Sequence, residues 1–225
     1  PQPGNPFNDG NDFRYRFGSD LKMGLGPNLT LDATFNPDFG QVEADPAQVN
    51  LTAFETFYNE RRPFFTEGNH LFSANGPTYF YSRRIGASPH GNAMGDYVDV
   101  STNTSILNAS KITGRLSSGL SIGALGAVTE REYAKGIDTT ADSTFNTEIE
   151  PLTLWGVTRL QQEFGKEHST VGIMLTGVKR DLNDNDPMSS SMHNQAVTGG
   201  GDWNLRFNGG KYILSGHLGF SHVEG

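Results

Sequence analysis

The chain has no cysteine, so disulfides, thiolate metal sites and thiol nucleophiles are excluded together. Nor does it contain an apolar window of the roughly 18 residues that a membrane-crossing helix needs. That excludes a helical membrane protein and leaves strands, which alternate and never produce a long apolar run. Positive charge is scarce: 17 Lys and Arg against 25 Asp and Glu give a formal charge of −8. The basic residues gather only in the short pairs Arg61-Arg62 and Arg83-Arg84, so no nucleic-acid partner is expected. No leader-like segment opens the sequence. Pro1-Gln2-Pro3-Gly4-Asn5-Pro6 reads as a linker, and residues 1–11 are expected to follow a further domain upstream.

What the chain does have is 28 glycines and 15 phenylalanines within an apolar fraction of only 35%. Aromatic content of this kind argues against disorder. From Asp12 to Leu25 the residues alternate: Phe13, Tyr15 and Phe17 against Arg14 and Arg16, then Leu21, Met23 and Leu25 against Lys22 and Gly24. Gly26-Pro27-Asn28 forms a turn, and Leu29, Leu31, Ala33 and Phe35 alternate with Thr30, Asp32 and Thr34 on the return. Further strand candidates are 78–85, 97–100, 106–116, 120–133, 148–164, 169–180, 195–207 and 211–223. In the last of these Tyr212, Leu214, Leu218 and Phe220 share one face, and Ser215, His217 and Ser221 share the other.

Connections alternate in length. Those at 26–28, 117–119, 165–166 and 208–210 are tight, whereas 135–146 and 181–192 read as long polar loops. Outer-membrane barrels show this asymmetry. The strand candidates are also long enough for a tilted crossing of the membrane, which takes about 9–11 residues. Mid-strand polar residues such as Thr113, Thr176, Arg159 and Arg206 suit a wet lumen better than a dry core. The expected fold is therefore all-β: an antiparallel outer-membrane-type barrel over 12–225, with Tyr212, Leu214, Leu218 and Phe220 facing lipid. A soluble β-sandwich or small barrel alternates in the same way and is the competing reading.

Residues 37–76 break the rhythm with Pro37, Pro46 and Pro63 and with mixed charge; between Gln48 and Tyr58 helix and strand fit about equally. So long a connection is expected to pack somewhere, and we read it as an inward-folded plug or constriction. Asp38, Glu43, Asp45, Glu55, Glu60, Arg61, Arg62 and Glu67 would form its lumenal charge network, and Phe64 and Phe65 would anchor it. The alternative is a structural brace of paired charges that transports nothing. Paired carboxylates also do glycosidase chemistry, but the neighbouring arginines point to ion pairing, and no catalytic residue is assigned.

The acidic run Asp181, Asn183, Asp184, Asn185 and Asp186 lacks the central glycine and closing glutamate of a calcium loop. The six histidines form no zinc motif, and no phosphate-binding or dinucleotide fingerprint occurs. No metal or cofactor is expected.

Leu29–Pro46 (LTLDATFNPDFGQVEADP), followed by Asn59–Gly68 (NERRPFFTEG), closely resembles the DUF5916 family of predicted outer-membrane proteins. Tyr81-Ser82-Arg83-Arg84-Ile85-Gly86 resembles that family's next motif. The similarity continues through Ala109–Arg115, Arg159-Leu160 and Gly201-Asp202-Trp203 and covers essentially the whole chain. The resemblance implies the amino-terminal part of a larger barrel in a bacterial outer membrane, preceded by a domain resembling carbohydrate-binding module family 9. From that module comes the expectation of saccharides or small polar solutes as cargo. A non-transporting anchor or binding protein is the second expectation, and a soluble carbohydrate-active enzyme the third.

Overall fold

The computed structural model describes residues 5–7, 17–37, 57–140, 143–182 and 187–225. Its strands are β1 (Ser19–Leu25), β2 (Leu29–Phe35), β3 (Tyr97–Asp99), β4 (Ile106–Arg115), β5 (Leu120–Thr129), β6 (Glu132–Asp138), β7 (Ser143–Glu150), β8 (Thr153–Phe164), β9 (Ser169–Arg180), β10 (Gln195–Phe207) and β11 (Tyr212–Glu224). Eight of them form one antiparallel sheet in the order β1-β2-β4-β5-β8-β9-β10-β11; β3, β6 and β7 form a second, three-stranded sheet. The expectation of an all-β antiparallel fold holds. Among the described residues the large sheet is open, with β1 and β11 as its edges, and no closed barrel is present.

Strand pairing decides which residues share a face, because side chains alternate with period two. One row of paired residues crosses the whole sheet as Lys22, Asp32, Lys111, Leu125, Val157, Thr176, Thr198 and Ser221. The adjacent row, on the opposite face, reads Met23, Leu31, Ile112, Ala124, Thr158, Leu175, Gly199 and Phe220. The first face is mixed and polar. The second is apolar over most of its area and carries Leu21, Leu25, Leu154, Val171, Ile173, Leu214 and Leu218, all exposed. This is the reverse of a soluble sheet, which turns its apolar face inward.

Residues 57–86 lie as a strap across the polar face. The strap contains a one-turn helix, α1 (Pro63–Thr66), and 3-10 turns at Asn69–Phe72 and Ser82–Arg84. Between strap and sheet lies the buried core: Phe65, Phe72 and Ile85 from the strap meet Ile106, Ala109, Leu125, Ala127, Val157 and Met174 from the sheet. Trp155 packs against this core, and its indole N–H donates to Thr129 Oγ1 at 3.2 Å.

All tight turns fall at one end of the sheet, between β1 and β2, β4 and β5, β8 and β9, and β10 and β11. At the last of these Asn208, Gly209 and Gly210 all adopt positive φ, a conformation that Asn and Gly reach at little cost. The other end carries the long connection from β2 to β4, the β6–β7 hairpin and the connection before β10.

Four local expectations are corrected. The strand expected at 78–85 is extended chain and a 3-10 turn, because Ser82 and Ile85 give their carbonyls to Arg62 rather than to a neighbouring strand. The polar loop expected at 135–146 belongs largely to β6 and β7, which pair with each other and with β3. The buried positions of β6 are the small Ala134 and Gly136, which give no apolar stripe, so the sequence resembles a loop. The long strands expected at 120–133 and 148–164 each break, the second at Pro151, which has no N–H for a ladder. Phe13 and Tyr15, the helix-or-strand stretch up to Glu55, and Asn183 to Asp186 lie outside the described residues.

Candidate functional site

The polar face and the strap together form the candidate site. Lys111, in the middle of β4, is buried against the strap, where its ammonium donates to the carbonyls of Phe64 and of Glu67, the latter at 2.6 Å. These two carbonyls flank the end of α1, so one lysine satisfies backbone acceptors that so short a helix leaves open. Asp32 of β2 sits 4.0 Å from Lys111 and 3.7 Å from Lys22 of β1. Lys22 also pairs with Glu67. A chain of alternating charge thus runs from β1 through β2 to β4 and up into the strap. The hydrogen bond from Lys22, followed by its charge, holds the Glu67 carboxyl below the ordinary range.

A second network closes the strap on itself. Arg62 grips Glu60 through two hydrogen bonds at 2.8 and 2.7 Å, and donates to the carbonyls of Ile85 at 2.6 Å and Ser82 at 2.9 Å. The Ser82 hydroxyl donates to Glu60 at 2.7 Å, and the backbone N–H groups of Arg61 and Arg62 complete the carboxylate's shell. Burial alone would raise the Glu60 pKa, but the hydrogen bonds and charge of Arg62, with Ser82, outweigh it and hold the value at about 2. Alongside, the Tyr81 hydroxyl accepts from the N–H of Tyr58 at 2.9 Å and donates to its carbonyl at 3.1 Å. The stretches 59–68 and 81–86, apart in sequence, are therefore halves of one clasp.

Arg159 of β8 and Asp202 of β10 form a third unit, each only 3% exposed. The guanidinium passes over β9, donates to both oxygens of Asp202, one at 3.0 Å, and reaches Gln161 at 2.8 Å. Gly172 of β9 makes this crossing possible, since a Cβ there would collide with the guanidinium. Farther along the same face Tyr79 of the strap lies over Gly200 and Gly219, where a Cβ would strike its hydroxyl. Gly76 packs in the same way on the His217 ring. The strap is consequently seated on the sheet from β1 to β11.

Of the residues expected in a lumenal network, Glu60 and Arg62 meet in the clasp, Glu67 joins the sheet through Lys22, and Arg61 contributes its N–H to Glu60. Asp38, Glu43, Asp45 and Glu55 lie outside the described residues. Phe65 is buried, and Phe64 packs edge-on against it with ring centres 5.0 Å apart, beneath the Lys111 ammonium. Tyr212, Leu214, Leu218 and Phe220 occupy the apolar face of β11, all exposed. Sequence reasoning missed Lys22, Asp32, Lys111 and Asp202. The available signal was a charge in mid-strand beside an uncharged, small or apolar neighbour on the same face, as with Lys111 between Ala109 and Thr113.

Among the described residues no helix is long and apolar enough to cross a membrane, and no group of three or more His, Cys, Asp or Glu is placed to hold a metal ion. The model of one protein family, Domain of unknown function (DUF5916), matches residues 4–224. No curated protein and no solved structure matches the chain.

Proposed function

Because the chain belongs to the DUF5916 family, matched over residues 4–224, and because its sheet turns an apolar face to the surroundings, we propose that it forms part of the wall of an outer-membrane β-barrel. The carrying observation is the polarity of the sheet. Leu218 is 62% exposed, Phe220 54% and Ile173 57%, on a face that runs across all eight strands. An apolar area of this extent is a poor match to water and a good one to acyl chains. The opposite face carries Asp32, Lys111, Arg159 and Asp202 and suits a lumen. Tight turns at one end and long connections at the other fit the periplasmic and external rims.

In this reading further strands join β1 and β11 to complete the wall, and the strap narrows the lumen. Polar solutes pass beside it. One observation favours a second reading, an anchor that conducts nothing: the strap is pinned from β1 to β11, and its Glu60, Arg62 and Glu67 are already paired. Neither reading assigns a catalytic residue.

The deciding experiment is membrane fractionation with a gel of the detergent extract run with and without boiling. Recovery in the outer membrane with a heat-dependent mobility is expected. Extraction without detergent would overturn the proposal and favour a soluble β-rich enzyme. Discrete conductance steps from the reconstituted protein would select the pore, and silence from a heat-modifiable protein the anchor.

A further inference from the structure

A cavity of about 480 Å³ lies between the start of the 3-10 turn at Asn69–Phe72 and strands β2, β4, β5 and β8, at the tight-turn end of the polar face. The charged side chains in its wall are already matched. Asp32 faces Lys22 and Lys111, Glu67 faces Lys22, Arg115 binds Glu163 at 2.8 Å, and Arg159 binds Asp202. An ion entering here would give up its hydration and meet no unbalanced charge. The uncharged wall is different: Thr30, Thr113, Ser121, Gln161 and His70 offer hydroxyl, amide and imidazole groups that both donate and accept.

Arg159 closes this wall, with its guanidinium committed to Asp202 and Gln161. No Phe, Tyr or Trp lines the cavity, so binding rests on hydrogen bonds rather than on stacking.

We propose that this cavity binds a neutral, polyhydroxylated solute of about monosaccharide size, held by the mixed donors and acceptors of Thr30, Thr113, Ser121, Gln161 and His70. The proposal rests on the barrel reading, because it places the solute in the lumen near the tight-turn rim. It goes further in naming the ligand's chemistry.

The test is saturation-transfer NMR on the full chain in detergent, with glucose, inorganic phosphate and succinate as probes. Expected are weak glucose contacts that survive high salt. They should weaken about tenfold in the Thr113→Val/Ser121→Ala double variant, which keeps shape and removes two hydroxyls. Circular dichroism checks that the variant is folded. Absence of glucose contacts in folded protein, equal binding by wild type and variant, or a salt-sensitive preference for phosphate or succinate would each overturn the proposal. Heat-modifiability of the same sample reads the barrel separately: a heat-modifiable protein that ignores glucose sinks the cavity assignment alone.

Discussion

Burying a guanidinium with a carboxylate costs several kcal/mol in desolvation, which only good geometry and further hydrogen bonds offset. Arg159 and Asp202 meet that condition through two hydrogen bonds to the carboxylate and a third from Arg159 to Gln161. Removing one partner strands the other. Asp202→Ala should therefore destabilise the protein by about 3–5 kcal/mol, while Arg159→Met/Asp202→Leu recovers much of that loss. Thermal unfolding in detergent, followed by circular dichroism, measures both; a double variant no better than Asp202→Ala would count against pairing as the cause. Glu60 gives a pH prediction at the same scale. Its folded pKa of about 2 lies below the ordinary carboxylate value, so the clasp's contribution is complete above that ordinary value and is lost as pH falls toward 2. That contribution is on the order of 3 kcal/mol. Limited proteolysis of the strap should accelerate over this window, and Glu60→Gln should reduce the pH dependence to the part contributed by Glu67.

At the scale of the element, the strap is held by its share of the buried core and by a few polar ties. Lys111 ties α1 to β4, the Glu60–Arg62–Ser82 network joins the two ends of the clasp, and Tyr79 reaches β10 and β11. Lys111→Met keeps most of the side chain's bulk and deletes the donors to Phe64 and Glu67. We expect faster amide exchange and earlier cleavage within 57–76 with the sheet intact, since the sheet's own ladders do not pass through Lys111's ammonium. Unchanged strap protection would remove Lys111 as its anchor. The β6–β7 hairpin is tied down by Arg131, which binds Glu148 at 2.8 and 2.7 Å and Asp181 at 2.7 Å. That clamp orients the hairpin next to the break after β5, and it explains why a polar stretch holds strand geometry beyond the main sheet.

For the whole molecule, the deciding quantity is the free energy of placing the apolar face in lipid. A lysine on the lipid side of a barrel costs about 2–4 kcal/mol at mid-depth and less near the rims. Leu218→Lys and Phe220→Lys, on the exposed face of β11, should lower assembly into the outer membrane, whereas Ser221→Lys, on the polar face, should assemble normally. Heat-modifiable protein in the membrane fraction is the readout. Equal assembly of all three variants would reverse the assignment of faces.

The sequence by itself determined the antiparallel β class, the tight turns and the apolar stripe of β11, because period-two alternation and turn residues act over a few neighbours. It also carried the family motifs. Only the tertiary structure decided what those motifs do. Arg159 and Asp202 are 43 positions apart and meet across an intervening strand. Glu60 and Ser82 meet because the strap doubles back, and Lys111 finds α1 only once the strap lies on β4. The strand wrongly expected at 78–85 is governed by Arg62, a partner some twenty residues away that no local pattern contains. The loop wrongly expected at 135–146 hides two paired strands because the buried positions of β6 are small and give no apolar stripe.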